Sequence, residues 1–335
     1  MILNIILIIV GVVVVLWGAD RMTDGAVGIA ERLKVPQIVI GLTIVAMGTS
    51  MPEFCVSLVS ALKGTADLAV GNVVGSNIFN AMLIVGCAAA VAPMTILPQT
   101  VRKDVPFALI ASAALWVMCI DNSISRIDAA LLFAAFLFFM YVTLKKTAPA
   151  ASSEVTSPIA EERGEEGSNV DEQENQPESL PQKKEKGMWL SIGLVVLGLA
   201  CLIIGSNIFV DNATALASAF GVSEAVIGLT VVAGGTSMPE LATSIVAARK
   251  GNSGIAIGNV LGSNVFNILL ILGGTGLIAP MTIKGITDVD LILLVVSMVM
   301  LWLFSYTKLR IERWEGLVLI VAFVGYMTWL IANAV

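Results

Sequence analysis

The chain has 335 residues, of which 57% are apolar and 13% charged, with a formal net charge of −6 and no histidine. Soluble domains carry roughly 25% charged residues, so a mean hydropathy of +0.92 excludes an ordinary soluble fold and points to a polytopic membrane protein. The lack of histidine removes the commonest transition-metal ligand and general base.

Apolar runs long enough to cross a bilayer, about 20 residues each, are predicted ten times. In chain order they cover residues 2–29, 37–62, 67–91, 103–120, 124–144, 188–217, 224–248, 254–278, 287–306 and 313–334. The first run has no charged leader and no small-residue cleavage site, so it reads as a span and not as a removed signal. The first and sixth runs are long enough to tilt or to extend past the membrane. Cys55, Cys87, Cys119 and Cys201 lie in apolar segments without a CxxC pair and read as small buried thiols.

Between spans five and six the composition changes. Residues 145–186 hold ten of the chain's 25 acidic residues among Ser, Pro, Gln and Asn. Such a segment cannot form a core and reads as a flexible tether. The expected organisation is therefore an N-terminal five-helix repeat (1–144), an acidic linker (145–187) and a C-terminal five-helix repeat (188–335).

Orientation follows from lysine and arginine placement in the short loops. One alternate set of loops holds 15 basic residues: Arg32, Lys34, Arg102, Lys103, the linker basics, Arg249, Lys250, Lys308, Arg310 and Arg313. The other set holds three, Lys63, Arg126 and Lys284. The linker is expected on the cytoplasmic side, with both termini outside.

Residues 35–86 reappear as 222–273, shifted by 187 positions without a gap, with 31 of 52 positions identical. The shared cores read GLTIVAMGTSMPE (41–53) and GLTVVAGGTSMPE (228–240). Each is followed at the same distance by GNVVGSNIFN (71–80) or GNVLGSNVFN (258–267). Five crossings separate the two copies, so they enter the membrane from opposite sides as an inverted repeat. That geometry presents a central site to both faces, which alternating access requires.

Each copy carries a carboxylate inside an apolar run, where charge is costly and usually functional. Pro52 precedes Glu53, and Pro239 precedes Glu240. A proline there removes a helical hydrogen bond and crowds the carbonyl four residues back, so the helix should break in mid-membrane. Thr49 and Glu53 are four apart and share a helix face, with Ser50 beside them; Thr236, Ser237 and Glu240 repeat the set. Ser76 with Asn80, and Ser263 with Asn267, are again four apart, and Asn72 and Asn259 lie one turn earlier. These are hard oxygen ligands, suited to Na⁺, Ca²⁺ or Mg²⁺. Asn77, Asn264, Asn72 and Asn259 also suit helix–helix hydrogen bonding. Asp24 and Asp211, which match under the same shift, read as helix-end or packing residues.

On these motifs, present in both halves, the chain resembles the calcium/cation antiporter superfamily, and within it prokaryotic sodium/calcium exchanger-like proteins. The resemblance covers all of the chain except the linker. It implies an all-α polytopic membrane protein with ten transmembrane helices in two inverted five-helix repeats. It also implies Ca²⁺ exchanged against Na⁺ in a prokaryotic inner membrane, with spans one and six moving as gates and no cofactor beyond the transported ions. By this resemblance Glu53 and Glu240 are central ligands, and Thr49, Ser50, Thr236 and Ser237 supply hydroxyl or carbonyl oxygens. Ala46 and Ala233 offer backbone carbonyls, and Ser76, Ser263, Asn80 and Asn267 complete the sites.

One departure stands out. Well-known exchangers of the family have Asp at the end of the second block, where this chain has Asn267. Two carboxylates in place of three leave charge uncompensated when three Na⁺ load at once, which is costly in a low-dielectric site. A lower Na⁺ count, or H⁺ or K⁺ as counter-ion, is the alternative. A cation channel needs an open pathway that deep, discrete sites do not provide. An intramembrane protease using Ser50 or Ser237 lacks a histidine or embedded lysine base. The expected partners are Ca²⁺, Na⁺ and the lipid bilayer, with no nucleic acid.

Overall fold

A computed structural model describes residues 1–145, 187–220, 233–283 and 285–334. Residues 146–186 of the acidic linker, 221–232 with the first part of the seventh span, Lys284 and Val335 lie outside the described residues. Helices dominate: α1 (Ile2–Leu33), α2 (Gln37–Thr49), α3 (Met51–Leu62), α4 (Ala66–Val91), α5 (Thr100–Asp121) and α6 (Arg126–Lys145) precede the linker. After it come α7 (Met188–Ala219), α8 (Ala233–Thr236), α9 (Met238–Arg249), α10 (Ser253–Ile278), α11 (Asp288–Lys308) and α12 (Arg313–Ala334).

Eight of these helices are long and apolar enough to cross a membrane, and the bent pair α2/α3 makes a ninth span. The remaining predicted span, 224–248, is described only from Ala233 onward. Helix ends follow local chemistry. α1 stops where Lys34 turns left-handed (φ 54°) just ahead of Pro36. α11 starts on a capping box between Thr287 and Asp290. α6 and α12 start under Asp128 and Glu315, whose carboxylates accept the backbone N–H three residues back.

Burial orders the layers. The hydrophobic window of α10 is 94% buried and that of α4 72%, whereas α1, α6, α7 and α12 stand between 22% and 28%. α4 and α10 therefore form the centre, the broken spans α2/α3 and α8/α9 pack on them, and the remaining helices face outward. The thiols do not all follow the expectation of burial: Cys119 is buried but Cys55 is exposed on α3.

α1 and α7 lie against each other along a seam of small residues. Gly11 meets Gly205, Gly18 meets Gly198, and Gly25 meets Ser191, so the pair runs antiparallel. A Cβ on Gly18 would lie 2.8 Å from the Gly198 carbonyl oxygen, and one on Gly198 would lie 2.6 Å from that of Gly18. Only glycine permits this approach.

Two short ladders, absent from the sequence expectations, settle the symmetry. β1 (Met94–Thr95), between α4 and α5, pairs antiparallel with β4 (Arg310–Ile311), between α11 and α12. β2 (Ser123–Ile124), between α5 and α6, pairs with β3 (Met281–Thr282), between α10 and α11. A ladder can form only between loops at the same membrane face. β1 and β2 flank one span and so occupy opposite faces, which places β3 opposite β1. Yet β3 is the copy of β1 under the 187 shift, as β4 is of β2. Equivalent loops thus sit on opposite faces, and the repeat is inverted. The shift holds in detail: Met94 pairs with Ile311 and its copy Met281 with Ile124.

π-helical turns were also not foreseen. Phe79–Ile84 and Phe266–Leu272 widen α4 and α10 at equivalent places, and such turns concentrate at functional sites.

Candidate cation site

The helix breaks fall where proline requires them. Ser50 (φ −83°, ψ 7°) separates α2 from α3, which diverge by 48°, and Ser237 (φ −89°, ψ 7°) separates α8 from α9. Each break puts a glutamate in the first turn of the helix that follows. Glu53 and Glu240 are both 1% exposed. Among the described residues neither forms an ion pair with a lysine or arginine.

Their hydrogen bonds cross between the repeats. Ser237 Oγ donates to Glu53 Oε1 at 3.0 Å, and Ser50 Oγ donates to Glu240 Oε1 at 3.1 Å. Each serine thus fixes the carboxylate of the other half, and the two breaks meet at one centre. Ser76 Oγ lies 3.3 Å from Ser237 Oγ and joins the same cluster. Thr49 Oγ1 donates to Asn259 Oδ1 (3.1 Å) and lies 3.3 Å from the Ala46 carbonyl, which also accepts the Ser50 N–H at 3.0 Å. Thr236 closes α8, and Ala233 opens it.

Asn72 and Asn259 serve as supports. Asn72 Nδ2 donates to the Glu53 carbonyl (3.2 Å) and Ser57 Oγ (3.0 Å), and Asn259 Nδ2 to the Glu240 carbonyl (3.3 Å) and Ser244 Oγ (2.9 Å). Ser57 and Ser244 were missed in the sequence reading. Their signal was present, since they are copies under the 187 shift and lie one turn beyond each glutamate.

The π-helical turns carry Asn80 and Asn267, which complete a two-fold amide ring. Asn80 Nδ2 donates to Asn264 Oδ1 and Asn267 Nδ2 to Asn77 Oδ1, both at 3.0 Å. Asn77 and Asn264 donate in turn to each other's backbone carbonyls at 3.3 and 3.4 Å. Asn77 and Asn264 thus act as cross-helix ties, which orient the amides of Asn80 and Asn267.

This wiring leaves particular oxygens over. Among the described residues, Glu53 Oε2, Glu240 Oε2, Asn80 Oδ1, Asn267 Oδ1 and Ser263 Oγ are buried without a hydrogen-bond partner. An unsatisfied buried polar atom is expensive, and these include the matching oxygen of each glutamate and each asparagine. All are hard donors. Two carboxylates with neutral oxygens suit an alkali or alkaline-earth cation and do not suit a soft metal.

Comparison with known proteins agrees with this chemistry. The family model described as sodium/calcium exchanger protein matches residues 3–145 and 190–332. The sodium/calcium exchanger MaX1 of Methanosarcina acetivorans is 33% identical over 97% of both chains. The inner membrane protein YrbG of Escherichia coli (strain K12) is 38% identical over 84% of this chain and 81% of its own. A solved structure of the sodium-calcium exchanger NCX_Mj superposes with a TM-score of 0.80 at 28% identity, covering 98% of both chains. The family model spans both helical halves, and the relatives match along most of their lengths. The chain is a polytopic membrane transporter, not an enzyme, and it belongs to the sodium/calcium exchanger family.

Proposed function

We propose that the chain exchanges Ca²⁺ for Na⁺ across a prokaryotic inner membrane by alternating access at the site between the two helix breaks. The observation that carries this reading is the pair of buried carboxylates, cross-linked between the halves by Ser50 and Ser237, each with one oxygen that has no hydrogen-bond partner among the described residues. Glu53 and Glu240 are the charged ligands of the transported ions. Ser76, Ser263, Asn80 and Asn267 supply neutral oxygens, with Thr49, Ser50, Thr236, Ser237 and the carbonyls of Ala46 and Ala233 around them.

Charge sets the expected ion count. One Ca²⁺ balances two carboxylates, and so do two Na⁺. A third Na⁺ would place uncompensated charge in a low-dielectric site. The cycle is therefore electroneutral or nearly so. The segments 1–144 and 188–335 act as the two inverted units, tethered by 145–187. The basic-residue distribution supports a cytoplasmic tether and external termini.

The test is calorimetric titration of the purified protein with CaCl₂ in the absence and presence of NaCl. Ca²⁺ binding that Na⁺ weakens competitively, and that Glu53→Gln abolishes in a folded protein, is expected. Ca²⁺ binding indifferent to both would overturn the site.

A further inference from the structure

Under the 187-residue shift the hydrogen bonds of the central site and both loop ladders in one half have counterparts in the other. A contact made at one membrane face and missing at the other therefore reports the conformation of the molecule. One such contact stands out. Lys250, just past the end of α9, places its ammonium 2.6 Å from Asp20 Oδ1, 2.8 Å from Asp24 Oδ1 and 3.1 Å from the Asp20 carbonyl oxygen. All three acceptors belong to α1. The copies of Lys250, Asp20 and Asp24 are Lys63, Asn207 and Asp211. Lys63 lies just past the end of α3, and Asp211 lies on α7. Both side chains are exposed, and among the described residues no ion pair or hydrogen bond joins them.

Packing shows the same one-sidedness. α1 packs against α9, where Ala242 is 5% exposed and Met238 and Val246 are partly covered. The copies of these residues on α3 are Met51, Cys55 and Val59, and all three are exposed. α1 and α7 are held together by the glycine seam, so a displacement that brings α7 onto α3 carries α1 away from α9.

We propose that Lys250 with Asp20 and Asp24, and Lys63 with Asp211, are two ionic latches that close alternately. Each clamps the α1/α7 pair onto the broken span of the opposite repeat at one membrane face while the other face stands open. The second latch has one carboxylate where the first has two, because Asn207 stands in the place of Asp20. The conformation with Lys250 engaged is therefore the favoured resting state. The proposal rests on the alternating-access reading, but its readout is residue proximity and does not depend on which ions are carried.

The experiment uses the full chain in proteoliposomes, with the native cysteines replaced by alanine and one of two pairs introduced, Asp24→Cys with Lys250→Cys or Lys63→Cys with Asp211→Cys. Under mild oxidation the first pair is expected to form a disulfide quickly and the second more slowly, each to high yield. Each disulfide should stop transport, and reduction should restore it. With all four cysteines present, one molecule should carry one disulfide or the other. No 63–211 disulfide at any Na⁺ or Ca²⁺ concentration, or both disulfides in one molecule, would overturn the latches.

A second measurement does not need a disulfide. Lys250→Gln should lower thiol labelling of the native Cys55 several-fold, as α7 comes to cover α3, and should raise labelling of an Ala242→Cys variant. Unchanged labelling at both positions contradicts the proposal. If disulfide and labelling behave as expected but no variant carries Ca²⁺ against Na⁺, the ion reading fails and the latches stand.

Discussion

At the scale of single residues, the candidate site divides into atoms tied into hydrogen bonds and atoms that the proposed function assigns to the ion. One oxygen of each glutamate is tied to a serine of the opposite half, and the other has no hydrogen-bond partner among the described residues. Glu53→Gln or Glu240→Gln keeps the shape but removes half of the site's charge. Losing one partner of a buried charge pairing costs about 3–5 kcal/mol, so Ca²⁺ affinity should fall by roughly 100-fold or more, with the melting temperature preserved. Binding within a few-fold of wild type would exclude these residues as ligands. The supporting asparagines should behave differently. Asn259→Ala removes the side-chain hydrogen bonds to the Glu240 carbonyl, Ser244 Oγ and Thr49 Oγ1, at a cost of about 1–3 kcal/mol. It should therefore lower the unfolding temperature measurably, which the glutamate variants do not. Glu53, Glu240 and their serines were legible in the sequence because a carboxylate behind a proline in an apolar run has few structural uses. That the two sets meet was legible only through the repeat. The amide ring was half legible: the spacing marked Asn80 and Asn267, but their orientation by Asn264 and Asn77 arises from contacts between α4 and α10.

At the scale of elements, the broken spans and the long first and sixth helices follow from local sequence. The π-helical turns and the loop ladders do not, because both depend on tertiary partners and involve few residues each. Leu309 shows how strongly a ladder constrains the chain. It adopts φ 52°, a left-handed conformation that its copy Asn122 adopts at φ 58°, and its carbonyl accepts the Ile96 N–H at 2.8 Å. The left-handed region costs a leucine roughly 1–2 kcal/mol, and asparagine tolerates it better. Leu309→Asn should therefore stabilise the protein by about 0.5–1 kcal/mol, seen as a higher unfolding temperature in detergent. A drop would mean that the leucine side chain contributes more than the strain costs. The α1/α7 seam predicts the opposite sign for Gly198→Val, because backbone cannot retreat as a side chain can. Overpacking there should cost about 1–3 kcal/mol or more and reduce transport, read as a lower unfolding temperature and a slower flux. An unchanged protein would show that the two helices do not depend on close contact.

At the scale of the whole molecule, two inverted copies around one centre explain why the site is built from equivalent residues of both halves. The same symmetry makes the chain's charge count decisive. Asn80 and Asn267 are copies in position and in chemistry, so the proposed site has two carboxylates, where a third would break the symmetry. Asn267→Asp should make transport more electrogenic or raise its Na⁺ dependence, measured as membrane-potential sensitivity of flux; no change in either would show that this position does not limit Na⁺ loading. The central claim is coupled exchange itself. Its most direct test is ⁴⁵Ca²⁺ uptake into proteoliposomes loaded with Na⁺ and diluted into Na⁺-free medium. The account predicts uptake that requires internal Na⁺, collapses when the Na⁺ gradient is dissipated, and is absent in Glu53→Gln and Glu240→Gln. Uptake that a pH gradient alone drives would reassign the counter-ion to H⁺, and uptake indifferent to every imposed gradient would contradict antiport.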